Sequence, residues 1–214
     1  MHCGAAMTYK LKVAELDKVP SAEDFLTERE LKEYSSFKIE KRRREWLGGR
    51  YALKQLACNQ FNFGIKEMEV KNLPSGKPVL LVPGGTHLPV SITHSGIYAA
   101  AAIGLTGDDI GIDMEVIEQR SRAWAEQSFE KEEFSSNAAF FLTELWAKKE
   151  AVLKFLGVGL SINMKDIRFI NGKLNLYGRA LDIWAEKGSP VIQTDVQDLD
   201  GGYKLVVANE IPLL

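Results

Sequence analysis

The sequence predicts an α+β fold in which two similar halves each pack long helices against antiparallel strands. Long helical patterns occur once in each half, at about residues 37–61 and 137–156. Short runs of strand-forming residues, separated by Gly and Pro, follow each of these helices. Asn171-Gly172 and Gly201-Gly202 stand between such runs, and both dipeptides are typical of tight antiparallel hairpins. These observations favour antiparallel sheets over a parallel sheet with crossover helices.

The first half begins with residues 9–16, which alternate like a strand. Ser21, with Asp24 three residues later, is typical of a capping box and predicts a helix to about residue 34. The long helix over 37–61 is expected to end near Gly64. A turn over 73–78 and four strands complete this half, the strands being expected at 66–72, 79–82, 89–94 and 97–104.

The second half repeats this succession. Asn137 is expected to cap its long helix and Gly157 to end it. The remaining elements are a short helix at 119–127 and strands at 110–116, 166–171, 173–178, 191–198 and 203–208. We place the boundary between the halves at 106/107, giving domains 1–106 and 107–214. The sequence contains no close repeat and no Gly/Ser linker, so we expect the halves to share an interface.

The composition is that of a folded, soluble protein. Of 214 residues, 45% are hydrophobic and 26% charged, which excludes disorder and fibrous repeats. The formal net charge of −2 provides no basic field, so we expect neither nucleic acid nor a membrane surface as partner. Residues 78–107 contain no charged side chain, but Pro and Gly divide the stretch into short buried strands rather than a spanning helix.

Two features of the chain predict a cytoplasmic location. The first residues lack the charged and apolar segments of a signal peptide. Cys3 and Cys58 are too few for a disulfide framework and fit no metal spacing, so we expect reduced thiols.

Charge is distributed unevenly along the chain. Residues 38–54 contain seven basic and two acidic side chains, whereas residues 108–150 contain eleven acidic and five basic ones. A basic face in one half and an acidic cluster in the other would suit a ligand that carries phosphates and a divalent cation. The alternative is an ordinary solvated helix face with ordinary surface acids, which composition alone favours.

The predicted strand 110–116 carries two carboxylates on one face. Asp113 and Glu115 alternate with apolar residues, so both project from the face opposite the core, about 6.6 Å apart. Gly111 leaves that face bare, where a ligand could approach. Carboxylates so close repel each other unless a cation offsets them, which favours Mg²⁺. A half-buried strand with a polar outer face is the alternative.

The second long helix carries Glu150 and Lys154 on the side opposite its main apolar stripe. In partly covered surroundings the glutamate could bind metal or accept a proton, and the lysine could contact phosphate. The alternative is a surface ion pair, because Glu followed by Lys four residues later is a favoured arrangement on exposed helices.

Two further segments have residues that suit phosphate binding. Lys77 lies on a rigid turn between Gly76 and Pro78, where little side-chain anchorage must be ordered. His94 ends a predicted strand among small hydroxylated residues and could donate to phosphate oxygens, although a single His is more often structural.

Taken together, four segments in this order resemble the motifs of the 4′-phosphopantetheinyl transferases, in particular the Sfp-like class. The segments are Gly76-Lys77-Pro78, Thr93-His94-Ser95-Gly96, Gly111-Ile112-Asp113-Met114-Glu115, and the helix Trp146–Lys154 followed by Gly157-Val158-Gly159-Leu160. The resemblance covers about residues 25–165. It implies two similar α+β halves related by a pseudo-two-fold, with coenzyme A bound between them, in a monomer.

The resemblance also implies roles for individual residues. Mg²⁺ would be held by Asp113, Glu115 and Glu150, and Lys154 would contact the phosphate and favour the leaving group. The nucleotide end of coenzyme A would be bound by Ser75, Gly76, Lys77, Pro78, Thr93 and His94, with Arg29 and Lys32 near its 3′-phosphate. Thr93 replaces the usual serine before the histidine and keeps its hydroxyl.

The activity that the resemblance implies is transfer of phosphopantetheine to a carrier protein. A serine hydroxyl of an acyl or peptidyl carrier attacks the β-phosphorus of coenzyme A, and 3′,5′-ADP leaves. Glu150, Glu133 or a metal-bound water would accept the serine proton. The short interval between Glu133 and Glu150 leaves the choice of carrier open. Two alternatives are an Mg²⁺-dependent coenzyme A or nucleotide pyrophosphatase, and a non-catalytic module that binds coenzyme A or carrier protein.

Overall fold

A computed structural model describes residues 8–105, 108–134 and 136–211. In the first half, the elements are β1 (Tyr9–Glu15), α1 (Ala22–Phe25), α2 (Glu28–Ser36), α3 (Glu40–Phe61), β2 (Glu69–Asn72), β3 (Pro78–Leu81), β4 (His87–Ser95) and β5 (Tyr98–Gly104). In the second, they are β6 (Ile110–Val116), α4 (Arg122–Ser128), α5 (Ala139–Leu156), β7 (Ile167–Ile170), β8 (Lys173–Leu176), α6 (Gly178–Glu186), β9 (Ile192–Leu199) and β10 (Tyr203–Glu210).

The strands form antiparallel sheets, which confirms the α+β fold. The first half contributes a five-stranded sheet of order β1-β5-β4-β3-β2, and the second a three-stranded sheet of order β6-β10-β9 with a separate β7-β8 hairpin. Each sheet is covered by the long helix of its own half, α3 or α5. Each half therefore has the same construction, with its first strand paired to its last, and this confirms two similar halves.

Strand β5 is buried on both faces, which explains its run of alanines. Ala101 and Ile103 pack with Leu53 of α3 in one core cluster. Ala100 and Ala102 face the other way, against apolar residues of β6 and β10. Small side chains allow a layer to pack closely on each side of this strand.

The boundary between the sheets lies after β5. Strands of the first sheet span residues 9–104 and those of the second sheet 110–210. The predicted boundary at 106/107 lies outside the described residues, as does Cys3. Cys58 is a free, half-buried thiol on α3. The uncharged stretch that begins at residue 78 forms β3, β4 and β5, and none of the described helices is both long and apolar enough to cross a membrane.

The predicted helix starts were wrong in two places. The predicted helix over 21–34 is two helices, because Leu26 and Thr27 have extended backbone between them. The capping box belongs to Thr27 and Glu30, whereas Ser21 makes no side-chain cap. Helix α5 likewise begins after Ala138, with Asn137 outside it.

The turn predictions are confirmed, and one helix was missed. Positive φ angles at Asn171-Gly172 (51° and 75°) and at Gly201-Gly202 (80° and 79°) form the two hairpin turns. Gly157 ends α5 with a φ of 76°. Helix α6 occupies a segment for which the sequence predicted no helix.

Each half contains a buried ion pair between its long helix and the segment before it. Lys54 of α3 binds Glu30 at 2.5 Å, and Lys149 of α5 binds Glu133 at 2.8 Å; all four side chains are at most 1% exposed. Each carboxylate accepts a hydrogen bond from the backbone N–H three residues before it, which is Thr27 for Glu30 and Glu130 for Glu133. Each ammonium also donates to the backbone carbonyl five residues before its partner carboxylate, which is Phe25 for Lys54 and Ser128 for Lys149.

The second oxygen of each carboxylate also accepts a hydrogen bond from a backbone N–H, and in both halves the donor lies on a strand. Glu30 accepts from the N–H of Val70 on β2, and Glu133 from that of Phe169 on β7. All four carboxylate oxygens of the two pairs are therefore hydrogen-bonded, as buried charges require. The repeated pair shows that the two halves share more than an order of elements.

Candidate active site

The two halves meet where β4 lies beside β6. Three hydroxyls of β4 accept hydrogen bonds from three backbone N–H groups of β6, at 3.0–3.2 Å: Ser91 from Ile112, Thr93 from Met114 and Ser95 from Val116. Residue numbers rise together in these pairs, so the strands run in the same direction. The N–H groups of β6 that β10 does not bind are thereby satisfied by side chains.

Gly111 allows α5 to approach β6 at this seam. A Cβ at Gly111 would lie 1.9 Å from the carbonyl oxygen of Ala151 and 2.4 Å from the backbone nitrogen of Phe155. The expectation that a bare Gly111 admits a ligand is therefore wrong, because the space is filled by helix backbone. The close approach instead brings Glu150 and Lys154 of α5 toward the carboxylates of β6.

Asp113 lies at the centre of this group. Its side chain is 8% exposed, and its Oδ1 accepts from Lys154 Nζ at 2.8 Å and from the Thr93 hydroxyl at 3.2 Å. Its Oδ2 is buried and has no hydrogen-bond partner among the described residues. Lys154 thus pairs with Asp113 across the strand–helix contact, rather than with Glu150 one turn away as an exposed surface pair would.

Glu115 and Glu150 are the other two carboxylates. Glu115 accepts from Trp146 Nε1 at 3.1 Å, and Arg120 lies 3.5 Å from its second oxygen. Burial and the charge of Asp113 raise the pKa of Glu115. The same two causes raise the pKa of Glu150 to about 7, although Lys154 offsets part of the effect. These carboxylates therefore lie close enough to disfavour each other's charge.

The three carboxylates do not lie close enough together to coordinate one metal ion as they stand. Among the described residues, no three His, Cys, Asp or Glu side chains are close enough together to hold an ion. The predicted donors Asp113, Glu115 and Glu150 nevertheless meet around one strand and one helix, and a cation would offset the repulsion that raises their pKa values.

His94 lies at the end of β4 beside the same group. Its ring is 47% exposed, and its Nδ1 lies 3.7 Å from an oxygen of Glu45 on α3. Burial lowers the pKa of His94 more than Glu45 raises it, and the charges of Lys154 and Asp113 also act on the ring. Charged residues of both halves therefore act on the His94 ring: Glu45 from the first half, and Asp113 and Lys154 from the second.

A cleft of about 310 Å³ joins the predicted nucleotide-binding turn to Lys154. We call it the nucleotide cleft. Five of the predicted site residues line it: Ser75, Gly76, Lys77, Pro78 and Lys154. The other lining residues are Val90, Ser91, Ile92, Gly157 and Gly159. Residues far apart in sequence, and from both halves, therefore form one wall, which supports a ligand position between the halves.

Arg29 and Lys32 do not line this cleft. Both lie on α2, where Arg29 is 67% exposed and binds Glu69 at 2.9 Å. Their assignment to the 3′-phosphate stays a prediction. Glu133, named as a possible proton acceptor, is buried with both oxygens hydrogen-bonded, so Glu150 is the better of the two carboxylates for that role.

Sequence reasoning missed several residues of the site. Ser91 and Ser95 share one face of β4 with Thr93, and their spacing of two along a predicted strand was a signal that could have been used. Gly157 was predicted only as a helix end and a motif residue, and Gly159 only as a motif residue, yet both line the nucleotide cleft. Asp109, which binds Lys77, had no sequence signal beyond its charge.

Sequence similarity to known proteins indicates the family of the chain. The family model of the 4′-phosphopantetheinyl transferase superfamily matches residues 109–204. A 4′-phosphopantetheinyl transferase of Bacillus pumilus is 26% identical over 180 residues, which is 79% of this chain and 72% of the relative. A holo-[acyl-carrier-protein] synthase of Bacillus subtilis is 33% identical over 109 residues, 44% of this chain and 89% of the relative.

A holo-(acyl-carrier-protein) synthase from Bacillus anthracis, in complex with CoA (3′,5′-ADP), gives a TM-score of 0.40 at 25% identity over 45% of this chain and 92% of that one. The synthase of Thermotoga maritima gives 0.38 at 27% identity over 57% and 74%.

The chain belongs to the 4′-phosphopantetheinyl transferase superfamily. The prediction of a phosphopantetheinyl transferase enzyme is thereby confirmed. The transferase relative matches most of the chain, whereas the synthases match about half of it, which agrees with the Sfp-like class.

Proposed function

We propose that this chain transfers the 4′-phosphopantetheine group of coenzyme A to a serine hydroxyl of an apo carrier protein, releasing 3′,5′-ADP with the help of Mg²⁺. The observation that carries the proposal is the convergence of Asp113, Glu115, Glu150 and Lys154 beside the nucleotide cleft. Family membership supports the class of reaction, and these residues supply its chemistry.

The residues fit a divalent cation. The buried Oδ2 of Asp113 has no partner among the described side chains, and an unpaired buried carboxylate oxygen is costly. Oxygen donors are what Mg²⁺ prefers, and the raised pKa values of Glu115 and Glu150 indicate repulsion that a cation would relieve. Since the three carboxylates do not yet enclose a site, we expect the longer glutamate side chains to change rotamer when an ion binds.

The bound cation would offset negative charge on the pyrophosphate of coenzyme A while it is broken. The chain's own cation at this position is Lys154, whose ammonium lines the nucleotide cleft and is held by Asp113. We assign it to the phosphate oxygens of the leaving group. A fixed charge in a partly buried site stabilises developing negative charge without first having to reorganise.

We assign proton acceptance from the carrier serine to Glu150. A general base works best with a pKa near the working pH, and without a bound cation the pKa of Glu150 is raised to about 7 by burial and the charge of Asp113. Metal binding would lower that pKa, and a water at the metal is the remaining candidate. The fully bonded Glu133 is assigned to holding α5.

The nucleotide end of coenzyme A is assigned to the turn over 75–78 and to Thr93 and His94. These two residues do not line the nucleotide cleft, but they directly follow its lining residue Ile92 on β4. Lys77 lines the nucleotide cleft, and Gly159 leaves its wall open. We propose that the chain acts as a cytoplasmic monomer, since it carries both halves of the site. An acyl carrier protein is the expected partner, because the relatives include holo-[acyl-carrier-protein] synthases, and a peptidyl carrier is the second choice.

The test is the intact mass of an apo acyl carrier protein after incubation with the chain, coenzyme A and Mg²⁺. We expect a gain of one phosphopantetheine, lost in EDTA and lost in the Asp113→Asn variant. Glu126→Gln, which changes an exposed carboxylate on α4, is the matched control and should retain transfer.

Three other results would contradict the proposal. Release of 3′,5′-ADP without any carrier, and without modification of acyl or peptidyl carriers, would favour the pyrophosphatase. Coenzyme A binding with no turnover on either carrier would favour the non-catalytic module. Transfer at the wild-type rate by Asp113→Asn would refute the assignment of the carboxylates.

A further inference from the structure

The carboxylate of Glu115 is held on two sides. Its Oε1 accepts a hydrogen bond from Trp146 Nε1 at 3.1 Å, and its Oε2 faces the guanidinium of Arg120, whose Nη2 lies 3.5 Å away. The Glu115 side chain is 25% exposed and that of Arg120 20%, so this ion pair is only partly open to water. One oxygen of the carboxylate is thus fixed by an uncharged donor, and the other is paired with a cation.

Arg120 has a second carboxylate within reach. The same Nη2 lies 3.1 Å from an oxygen of Glu118, which is nearer than the oxygen of Glu115. The guanidinium also lies over the ring of Trp124, 4.6 Å from its centre. Its Nε is buried and makes no hydrogen bond within the described part of the chain. A guanidinium binds a carboxylate best through two parallel hydrogen bonds, whereas here one nitrogen is shared between two carboxylates.

The backbone on both sides of Arg120 is fixed by hydrogen bonds. Before it, the Ile117 N–H donates to the carbonyl of Gly202 at 2.8 Å. After it, the Ser121 hydroxyl caps α4 by accepting from the Trp124 N–H at 3.1 Å. A shift of the guanidinium between its two carboxylates therefore needs only a change of rotamer and no movement of the chain.

The charges around Glu115 suit an exchange of one cation for another. Burial and the charge of Asp113 raise the pKa of Glu115, whereas Arg120, Trp146 and Lys154 act in the opposite direction. Lys154 is itself bound to Asp113, so among the described side chains Arg120 is the cation in ion-pair contact with Glu115. A divalent ion between the two carboxylates would offset the same repulsion more strongly than one guanidinium does.

We propose that Arg120 is the resident counter-ion of Glu115 and competes with the divalent cation for this carboxylate, so that binding of the ion transfers the guanidinium to Glu118. The proposal rests on the proposed function, because it takes Glu115 as a ligand of the ion. Two positive charges at one carboxylate repel each other. Arg120 therefore sets how tightly the chain binds its cation.

The experiment is calorimetric titration of the chain with magnesium chloride, after EDTA treatment and dialysis. Arg120→Gln should bind Mg²⁺ about threefold to tenfold more tightly than wild type, the scale of one partly exposed ion pair that no longer competes. The Mg²⁺ concentration that gives half-maximal carrier modification should fall by a similar factor. Arg120→Lys keeps the charge and should stay within about twofold of wild type.

Arg122→Gln is the matched control. It also removes one arginine charge, two residues further along, but the Arg122 side chain is 76% exposed and pairs with Glu126. Water and salt screen a charge in that position. We expect its affinity for Mg²⁺ to equal that of wild type.

A second pair of variants tests the transfer to Glu118. Glu118→Gln removes the other partner of the guanidinium, so it should weaken Mg²⁺ binding by about twofold to threefold. In the Arg120→Gln background the same change should have a smaller effect, because no guanidinium remains to be transferred. The Glu118 side chain is 55% exposed, so folding should tolerate the substitution.

Four results would overturn the proposal. Arg120→Gln could lower the unfolding temperature in EDTA and leave the affinity for Mg²⁺ unchanged, as a purely structural ion pair would. It could weaken Mg²⁺ binding, which would mean that Arg120 holds Glu115 in place for the ion. Arg122→Gln could tighten binding equally, which would attribute the effect to net charge. The two effects of Glu118→Gln could be equal, which would exclude the transfer.

The same titration separates this proposal from the proposed function. If neither wild-type protein nor Arg120→Gln binds Mg²⁺, and carrier modification proceeds in EDTA, the metal site fails and this proposal fails with it. If wild-type protein binds Mg²⁺ and requires it for carrier modification, but Arg120→Gln binds the ion no more tightly, only the role of Arg120 fails.

Discussion

Gly111 determines how closely α5 approaches β6, the strand that carries Asp113 and Glu115. A Gly111→Ala substitution would force its Cβ against the backbone of Ala151 and Phe155, which cannot rotate away as a side chain can. We expect a loss of about 1–3 kcal/mol in the free energy of unfolding, the usual scale for overpacking. Because α5 also carries Lys154, transfer activity should fall as well. Urea denaturation and carrier modification measure the two effects.

Gly49→Ala is the matched control for that prediction. A Cβ there would meet Cγ2 of Ile92 at 2.5 Å, with no second atom nearer than 4.0 Å. One side chain can adjust, and alanine gains helix propensity over glycine by about 1 kcal/mol. We expect a smaller loss of stability than at Gly111. Equal losses at the two positions would show that the helix–strand contact at Gly111 is not special.

Glu150 makes the metal-free protein less stable at neutral and alkaline pH. Its pKa is raised from an ordinary 4.5 to about 7, so the folded state holds its proton more tightly than the unfolded chain. Its contribution to stability therefore falls as the pH rises from about 4.5 to about 7, and the full penalty is present above pH 7. The arrangement favours function at the expense of stability.

We expect Glu150→Gln to stabilise the protein in EDTA at pH 8, by on the order of 2 kcal/mol, and to have little effect at pH 4. Thermal unfolding at both pH values measures this difference. Added Mg²⁺ should raise the unfolding temperature of wild-type protein at pH 8 and leave the variant almost unchanged. A variant less stable than wild type at pH 8 would contradict the repulsion between carboxylates.

The types of residue in the carboxylate site could be predicted from the sequence, but their contacts could not. Alternation along residues 110–116 is enough to put Asp113 and Glu115 on one face. It does not reveal that Lys154 turns toward Asp113, because that contact depends on how far α5 lies from β6. That distance is set by the absent side chain of Gly111, which sequence reasoning had assigned to ligand access.

At the scale of elements, the long helices are fixed to their own halves by buried ion pairs. Lys149→Met should destabilise the protein by about 3–5 kcal/mol, because Glu133 would remain buried without its counter-ion. Denaturant unfolding measures the loss. Adding Glu133→Gln to the same variant should restore part of it, since the buried charge is then removed.

Lys148→Met is the control on the neighbouring residue of α5. Lys148 pairs with Glu144 one turn away and remains partly exposed, so we expect a change of less than about 1 kcal/mol. If the two lysine variants lose the same stability, the buried pair does not have the role assigned to it.

Strands and turns were easier to predict than helix starts. The turns at Asn171-Gly172 and Gly201-Gly202 follow from local backbone preference, which tertiary packing did not alter. The start of α2 did not follow, because two Ser/Thr residues were suitable caps and the choice depended on Glu30, which also binds Lys54. Helix α6 was missed because its N-cap, Tyr177, has no capping side chain and its first residue is Gly178, so nothing in the local sequence indicated a helix start.

At the scale of the whole molecule, side-chain hydroxyls join the two halves. Thr93 both accepts from the Met114 N–H and donates to Asp113. Thr93→Val has a similar shape but leaves the N–H without an acceptor, so we expect a loss of about 1–3 kcal/mol in unfolding free energy. Transfer activity should also fall, because Asp113 loses a bond that orients it.

Thr93→Ser is the control, since it keeps the hydroxyl and removes only a methyl group. We expect stability and carrier modification close to those of wild type, measured by denaturation and intact mass. If serine and valine are equally harmful, the methyl packing rather than the hydroxyl matters at this position.

The similarity of the halves is evident in the structure and almost absent from the sequence. Counting from the buried lysines, Gln55 and Asn59 of α3 occupy the positions that Glu150 and Lys154 occupy in α5. The long helix and its buried ion pair therefore occur in both halves, whereas the charged residues corresponding to Glu150 and Lys154 occur only in the second half. Packing can be preserved by many combinations of apolar residues, so a shared fold leaves little sequence identity.

The repeated ion pair has a consequence for how far the two halves of one chain can differ. Two identical subunits around a two-fold axis must receive every substitution twice, once on each side of their interface. In a single chain, a substitution affects one half only. Here the second half carries Glu150 and Lys154, the first half has Gln55 and Asn59 at the corresponding positions, and both halves carry a buried Glu–Lys pair, so the halves differ where the candidate site lies and agree where the long helix is fixed.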